Sequence, residues 1–155
     1  MNVVETRIYD TFAGIASSIG YSPLHGKIIG ALIIEGKSMS LQQLSKKISY
    51  SPSMVSISLD LLEVLGIVKK VKKTADRKLY IELSGDLLEC LKKAVVIRIE
   101  KSIVQSLKDF EAAKKELDGE PPEERKRLLA SIISLEKEIR RLDHYIQLLN
   151  KIQLP

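Results

Sequence analysis

From Ser51 to Leu83 the chain reads SPSMVSISLDLLEVLGIVKKVKKTADRKLYIEL, and the order of patterns in this stretch constrains the fold more than any other feature. Ser51-Pro52 offers an N-cap followed by an N1 proline, and Val55, Leu59 and Leu62 recur at i, i+4 and i+7. That spacing predicts a short amphipathic helix running to about Leu65. Gly66 stands where a helix end favours a left-handed residue. Two runs with strand-like alternation follow, Ile67–Lys72 and Leu79–Leu83, joined by the polar turn Lys73-Thr74-Ala75-Asp76-Arg77-Lys78. Helix, stop and lysine-rich hairpin, in that order, describe a recognition helix with a β-wing behind it.

The segments before it complete the unit. Val4, Ile8, Phe12 and Ile15 predict a helix over Asn2 to Ser18, ended by Gly20. Ser22-Pro23 opens a second helix to about Ile34, with Leu24, Ile28, Ala31 and Leu32 on its apolar stripe. After a turn at EGKSM, Ser40 caps a short helix, Leu41–Ile48, with Leu41, Leu44 and Ile48 inward. Two short capped helices separated by a few residues form a helix-turn-helix. The expectation for residues 1–83 is therefore a winged helix-turn-helix, mainly α with a minor α+β component.

From Ser84, the expected cap of the next helix, the pattern stays helical. Leu88, Leu91, Val95, Ile99, Ile103, Leu107, Phe110 and Leu117 define a helix of about 30 residues, and 118–122 breaks it. In the final helix Leu128, Ile132, Leu135, Ile139, Leu142, Ile146 and Leu149 step by 4 and 3 over three heptads, with Ile at a and Leu at d. Two helices of nearly equal length with a five-residue break favour an antiparallel hairpin over 84–155. Leu129, Ile133, Ile97 and Val96 extend its apolar surface, so two hairpins joined across a two-fold axis would bury it, the first helix sharing in the interface. A parallel two-stranded coil is the second arrangement. Either makes the chain a homodimer, with the seven heptad residues as its dimerisation set.

Charge is unevenly placed. Residues 1–83 carry 11 Lys/Arg against 7 Asp/Glu, whereas 84–155 carry 14 against 13, and within 36–81 nine basic side chains meet three acidic ones. The positive charge thus sits on the segment expected to meet phosphates. An enzyme is not expected: the chain has no phosphate-binding glycine motif, no nucleophile elbow and no cluster of ligand-spaced Cys and His. His25 and His144 are isolated on separate helices, and the single Cys90 sits in an apolar helical pattern, so no metal or other cofactor is expected. No apolar run is long enough for a membrane span, the start MNVVETRIYD does not read as a signal peptide, and one cysteine supplies no disulfide, all of which point to the cytoplasm.

With these elements in place the sequence resembles the MarR superfamily of transcription regulators, in particular its GbsR-like branch. The resemblance rests on GYSPLHGKIIGALII (Gly20–Ile34), SLQQLSKKISYSPSMVSISLDLLEVLGIVKKV (Ser40–Val71) and ADRKLYIEL (Ala75–Leu83), and covers residues 20–90 well. It implies a dimeric regulator, expected to be a repressor, that places the recognition helix in the major groove and a wing arginine in the minor groove. Arg77 would be that arginine and Asp76 would orient it. It also implies regulation by a small-molecule effector, unidentified here. The branch includes regulators that respond to choline, but Tyr9, Phe12 and Tyr21 are explained as well by core packing as by an aromatic cage.

The residues expected to contact DNA are Gln42, Gln43, Lys46 and Lys47 before the turn. Ser51, Ser53, Met54, Ser56 and Ile57 follow on the recognition helix, and Lys70, Lys72, Lys73, Thr74, Arg77 and Lys78 on the wing. The chain departs from the family it resembles in one respect: no basic residue lies between Ser51 and Leu65, so direct guanine reading by Arg or Lys is not available from that helix. Affinity is expected mainly from phosphate contacts, with modest specificity and a preference for A·T-rich sites with narrow minor grooves. The competing reading is a winged helix used as a protein-interaction module of the transcription machinery, because Leu61 and Val64 lie where polar residues are common.

Overall fold

The computed structural model describes residues 2–155. Six helices and three short strands follow in the order α1 (Val3–Ser18), α2 (Pro23–Glu35), β1 (Met39–Ser40), α3 (Leu41–Ile48), α4 (Pro52–Val64), β2 (Val68–Lys72), β3 (Leu79–Leu83), α5 (Leu87–Glu116) and α6 (Pro122–Lys151), with a 3₁₀ turn at Leu117–Gly119. The chain is mainly helical with a small antiparallel sheet, the winged helix-turn-helix architecture. It divides into two compact units, residues 1–94 and 95–155, so the first turns of α5 belong to the first unit.

Local chemistry sets the helix starts of the first unit. Asn2 Oδ1 accepts from Val4 N at 2.9 Å. Ser22 Oγ accepts from Leu24 N at 3.2 Å, while His25 Nδ1 accepts from Ser22 N at 3.2 Å. Ser40 and Gln43 close a reciprocal capping box at the head of α3, at 3.2 and 2.9 Å. α4 opens on Ser51, whose hydroxyl accepts from Met54 N at 3.3 Å, with Pro52 at N1. Its end at Gly66 has φ +76°, the left-handed geometry that favours glycine.

The His25 box makes a pH-dependent contact. Burial holds this imidazole below its ordinary value, and its Nδ1 must be unprotonated to accept from Ser22. A histidine with a lowered folded pKa binds fewer protons folded than unfolded. Its contribution is therefore complete above the ordinary imidazole range and declines as pH falls through it. Urea melts are expected to show a loss of stability between pH 7.5 and 5.5 that is smaller in His25→Gln, which keeps the capping box without a titrating ring. Equal pH slopes for the two proteins would refute this.

One core serves the whole first unit: Ile28, Leu44, Val55, Leu59, Leu62, Val68 and Ile81 are all essentially inaccessible, with Tyr9, Leu24 and Met39 beside them. β2 and β3 pair in antiparallel register, Lys70 opposite Ile81 and Val71 opposite Tyr80. β1 adds a third strand on the other edge of β3, with Met39 opposite Ile81. The sequence reading placed β1 inside a turn. Two residues carry no alternation to detect, and their strand character comes from pairing with Ile81 and Tyr80, far along the chain.

α5 also starts differently from expectation. Asp86 caps it, with its Oδ1 accepting from Glu89 N at 2.9 Å, while Ser84 Oγ donates to Gly66 O at 2.9 Å. Cys90 and Ala94 pack into the first unit's core, and Leu88 is 48% exposed rather than buried in a stripe. A helix that contributes to two cores does not keep one buried register along its length.

In the second unit α6 runs antiparallel to the remainder of α5. Val96, Ile103 and Ile146 are buried between them, with Ile99, Leu107, Ile139 and Leu149 alongside. Two polar links are consistent with this direction: Gln147 Nε2 donates to Glu100 Oε1 at 3.0 Å, and Lys114 pairs with Glu136 at 2.7 Å. Arg125 donates to the carbonyls of Leu117 and Asp118 at 3.0 and 2.7 Å, satisfying carbonyls of the 3₁₀ turn that follows α5. Val96, expected on an outer surface, is instead part of this inner seam.

Candidate nucleic-acid interface

The outward surface of the first unit is built from the N-terminal half of α4, the exposed side of α3 and the β2–β3 wing. α3 ends on Ser49 in the left-handed region, φ 59°, and the turn through Tyr50 leads directly to the Ser51 cap. Among the residues singled out on these helices, Gln42, Lys46, Ser53, Met54 and Ile57 are exposed and Ser56 is half-buried. Ser51 and Gln43 are exposed too, but their oxygens are committed to helix caps.

The lysines divide into two groups. Lys47 turns inward, its ammonium 3.5 Å from Glu5 and 3.2 Å from Glu35, which ties α1, α2 and α3 together. The carboxylate raises this lysine's pKa, and hydrogen bonding from Lys47 holds that of Glu35 down. Lys70 pairs with Asp60 and Glu63 of α4, and Lys69 with Glu82 at 2.8 Å. Lys72, Lys73, Thr74, Arg77 and Lys78 are exposed around the wing turn, and the Lys73 ammonium lies 4.0 Å from the centre of the Tyr80 ring. The free positive charge is therefore concentrated at the wing tip and on Lys46.

Asp76 and Tyr80 hold the wing's shape. Asp76 Oδ2 accepts from the Tyr80 hydroxyl at 2.7 Å and Oδ1 from Lys78 N at 3.1 Å. Arg77 N donates to Lys73 O at 3.2 Å, and Arg77 sits at φ +57°. That left-handed backbone is uncommon for a long side chain and costs on the order of 1 kcal/mol. The Asp76 carboxylate thus fixes the turn that presents Arg77, rather than orienting the guanidinium as expected from the sequence. The Tyr80 hydrogen bond holds the Asp76 carboxyl below the usual range and raises the Tyr80 hydroxyl. The depressed carboxyl loses its contribution only as pH falls through its lowered value, and the raised phenol only as pH rises beyond the usual tyrosine range, so the brace persists across neutral pH. Tyr80 was absent from the expected site; a phenol four residues after an Asp across a turn has no distinctive local pattern.

Of the heptad residues on α6, Ile146 is buried and Leu128, Ile132, Ile139 and Leu149 are half-buried within the hairpin. Leu135 and Leu142 remain 52% and 39% exposed. Near α1 and α2, a cavity of about 30 Å³ is lined by Phe12, Tyr21, His25, Ile29, Leu62 and Leu65 among others, room for little more than a water molecule. Tyr9 is buried in the core and the Tyr21 hydroxyl donates to Ala94 O at 2.8 Å, so these aromatics serve packing. Among the described residues no helix is long and apolar enough to cross a membrane.

A β2–β3 wing behind a helix-turn-helix, with β1 completing a three-stranded sheet, defines the class as a winged-helix protein. The chain is similar in fold to a solved structure described as a transcriptional regulator, with a TM-score of 0.56 and 17% identity, covering 93% of this chain and 99% of that one. Weaker likenesses include a MarR-family transcriptional regulator from Silicibacter pomeroyi, with a TM-score of 0.46, 16% identity and coverage of 85% and 82%. Wild-type MarR from E. coli in its apo form gives a TM-score of 0.45 and 15% identity, covering 59% of this chain and 68% of that one. No protein-family model matches the chain, and no curated protein does.

Proposed function

We propose that the protein is a DNA-binding transcription regulator of the MarR type, on its GbsR-like branch. It acts in the cytoplasm as a homodimer, as a repressor and not an enzyme. The observation that carries this reading is the braced wing: Lys72, Lys73, Arg77 and Lys78 are exposed around a turn locked by Asp76 and Tyr80, in the hairpin that follows a helix whose N-terminal residues are exposed. Cations held on a rigid hairpin suit phosphates and a narrow minor groove. Lys46 adds a phosphate contact from α3, with Gln42 and Gln43 beside it. Ser53, Ser56, Met54 and Ile57 meet base edges and thymine methyls from α4. Lys47 and Lys70, neutralised by carboxylates, serve the fold. A small-molecule effector is part of this reading, and the 30 Å³ cavity would have to open to take one.

The test is a mobility shift on random duplex DNA over a range of salt. Steep weakening with salt supports the reading, and a selection on random sequence is expected to return A·T-rich sites rather than a G·C-centred consensus. One observation favours a second reading. Met54, Ile57, Leu61 and Val64 line the outer side of α4 with exposures of 51%, 71%, 36% and 71%. An apolar stripe of that length suits a protein partner, and no shift at any salt would select the interaction module instead.

Dimerisation is assigned to the hairpin, supported by the half-open heptad seam. Leu135 and Leu142 supply apolar surface left over once α5 is covered. The double substitution Leu135→Glu/Leu142→Glu is expected to convert a dimer to a monomer by light scattering while circular dichroism keeps its helical signal. A dimer that survives both changes would place the interface elsewhere.

A further inference from the structure

A second seam runs along α6, separate from the apolar one. Lys126, Ile133, Lys137, Arg140, His144 and Lys151 follow one another at 7, 4, 3, 4 and 7 residues, the interval pattern of a coiled-coil line. All six are exposed, Ile133 at 54%, and Leu148 beside them is 49% exposed. At 1.5 Å per residue the line is about 37 Å long.

The acidic side chains of α6 do not neutralise it. Glu124 is engaged by Arg127, Glu136 by Lys114 and Glu138 by Arg141. Asp143 accepts only from the neutral Gln147 amide, and Glu123, three residues from Lys126, makes no ion pair with it among the described residues. Lys126, Lys137, Arg140 and Lys151 have no ion pair among the described residues. A helical line of unpaired cations interrupted by exposed aliphatic side chains therefore faces outward.

We propose that this outer seam of α6 docks an acidic amphipathic helix from another protein, with Asp or Glu opposite the four cations and an apolar residue opposite Ile133. Charge selects the occupant. A second copy of this chain would set cation against cation along the whole line. A bilayer surface asks for a continuous apolar face, and here Lys137, Arg140 and His144 lie between Ile133 and Leu148. Nucleic acid would satisfy the cations but leave the aliphatic groups in contact with phosphate and sugar. An acidic helix satisfies both. The inference stands independently of DNA binding by the wing.

The test uses the full chain and a labelled synthetic helix of four heptads with an Ile/Leu seam flanked by glutamates, followed by fluorescence anisotropy. The acidic helix is expected to bind. The exposed double variant Lys137→Glu/Arg140→Glu, checked for an unchanged circular dichroism spectrum, should bind it about tenfold more weakly. A lysine-flanked version of the same helix should recover binding to that variant. The proposal is overturned if the acidic helix does not bind, if unstructured polyglutamate binds equally well, or if the lysine-flanked helix fails to rescue. It is also overturned if the charge reversal weakens binding to duplex DNA or to phosphatidylserine vesicles and leaves the peptide unaffected.

Discussion

Substituting alanine for Gly26 is expected to destabilise the winged unit by about 3 kcal/mol, near or beyond the upper end of ordinary overpacking. A Cβ at this position would lie 2.0 Å from the carbonyl oxygen of Phe12, 2.3 Å from its carbon and 2.6 Å from Ala13 N. These are backbone atoms of α1, so no side chain can rotate away and the two helices must separate. Separation would open the packing of Tyr9, Ala13 and Ala16 against α2, where Ile28, Ile29 and Ala31 are buried. Against a total stability of about 5–15 kcal/mol this is a large fraction. Two other glycines supply the contrast. Gly30→Ala would meet the Tyr9 ring at 3.4 Å, a contact the ring can accommodate with a small shift. Gly14→Ala meets nothing within 4 Å and, in a helix interior, should gain about 0.5–1 kcal/mol. Chemical denaturation of the three variants checks the ranking, and a Gly26→Ala protein as stable as the parent would show that α1 and α2 do not cross as closely as described.

On DNA the largest effect is expected from the wing. The triple variant Lys72→Ala/Lys73→Ala/Arg77→Asn should lower affinity for duplex DNA on the order of a hundredfold at moderate salt. Asparagine is chosen at 77 because it tolerates the left-handed backbone that Arg77 adopts at φ +57°, so the loss reads charge rather than turn geometry. Three phosphate contacts fewer should also flatten the dependence of log affinity on log salt by about 2.7. Lys70→Gln is the internal control. Its ammonium is held by Asp60 and Glu63, so affinity should change little. Anisotropy titrations across a salt series measure both quantities. If Lys70→Gln were as damaging as the wing triple, or if the salt slope did not move, the division between free and neutralised lysines would be wrong.

Much of the architecture was legible because its signals are local. Ser22-Pro23, Ser40 and Ser51-Pro52 announce helix starts through bonds that span two or three residues, and each cap is made where expected. Gly66 and the alternation after it likewise mark a helix end and a hairpin through the conformations of a few neighbours. The hairpin of α5 and α6 followed from equal lengths and a short break. Where the reading failed, the signal came from elsewhere in the chain: β1 from its pairing with β3, and the cap of α5 from Asp86, while Ser84 is drawn to Gly66.

The candidate interface divides along the same line. Composition alone places nine cations in residues 36–81, and it cannot distinguish them. Which of them are free depends on carboxylates distant in sequence: Glu5 and Glu35 for Lys47, Asp60 and Glu63 for Lys70. The role of Asp76 is set in the same way by Tyr80, whose ring also lies under Lys73. By itself the sequence determined the order of elements, their caps and the position of the wing, because hydrogen-bonding and hydrophobic periodicity act over a turn or two of chain. Only the tertiary structure decided which charges face outward, which glycine lets two helices touch, and which faces of α5 and α6 are covered. Those outcomes depend on packing and charge compensation between segments that meet only when the chain is folded.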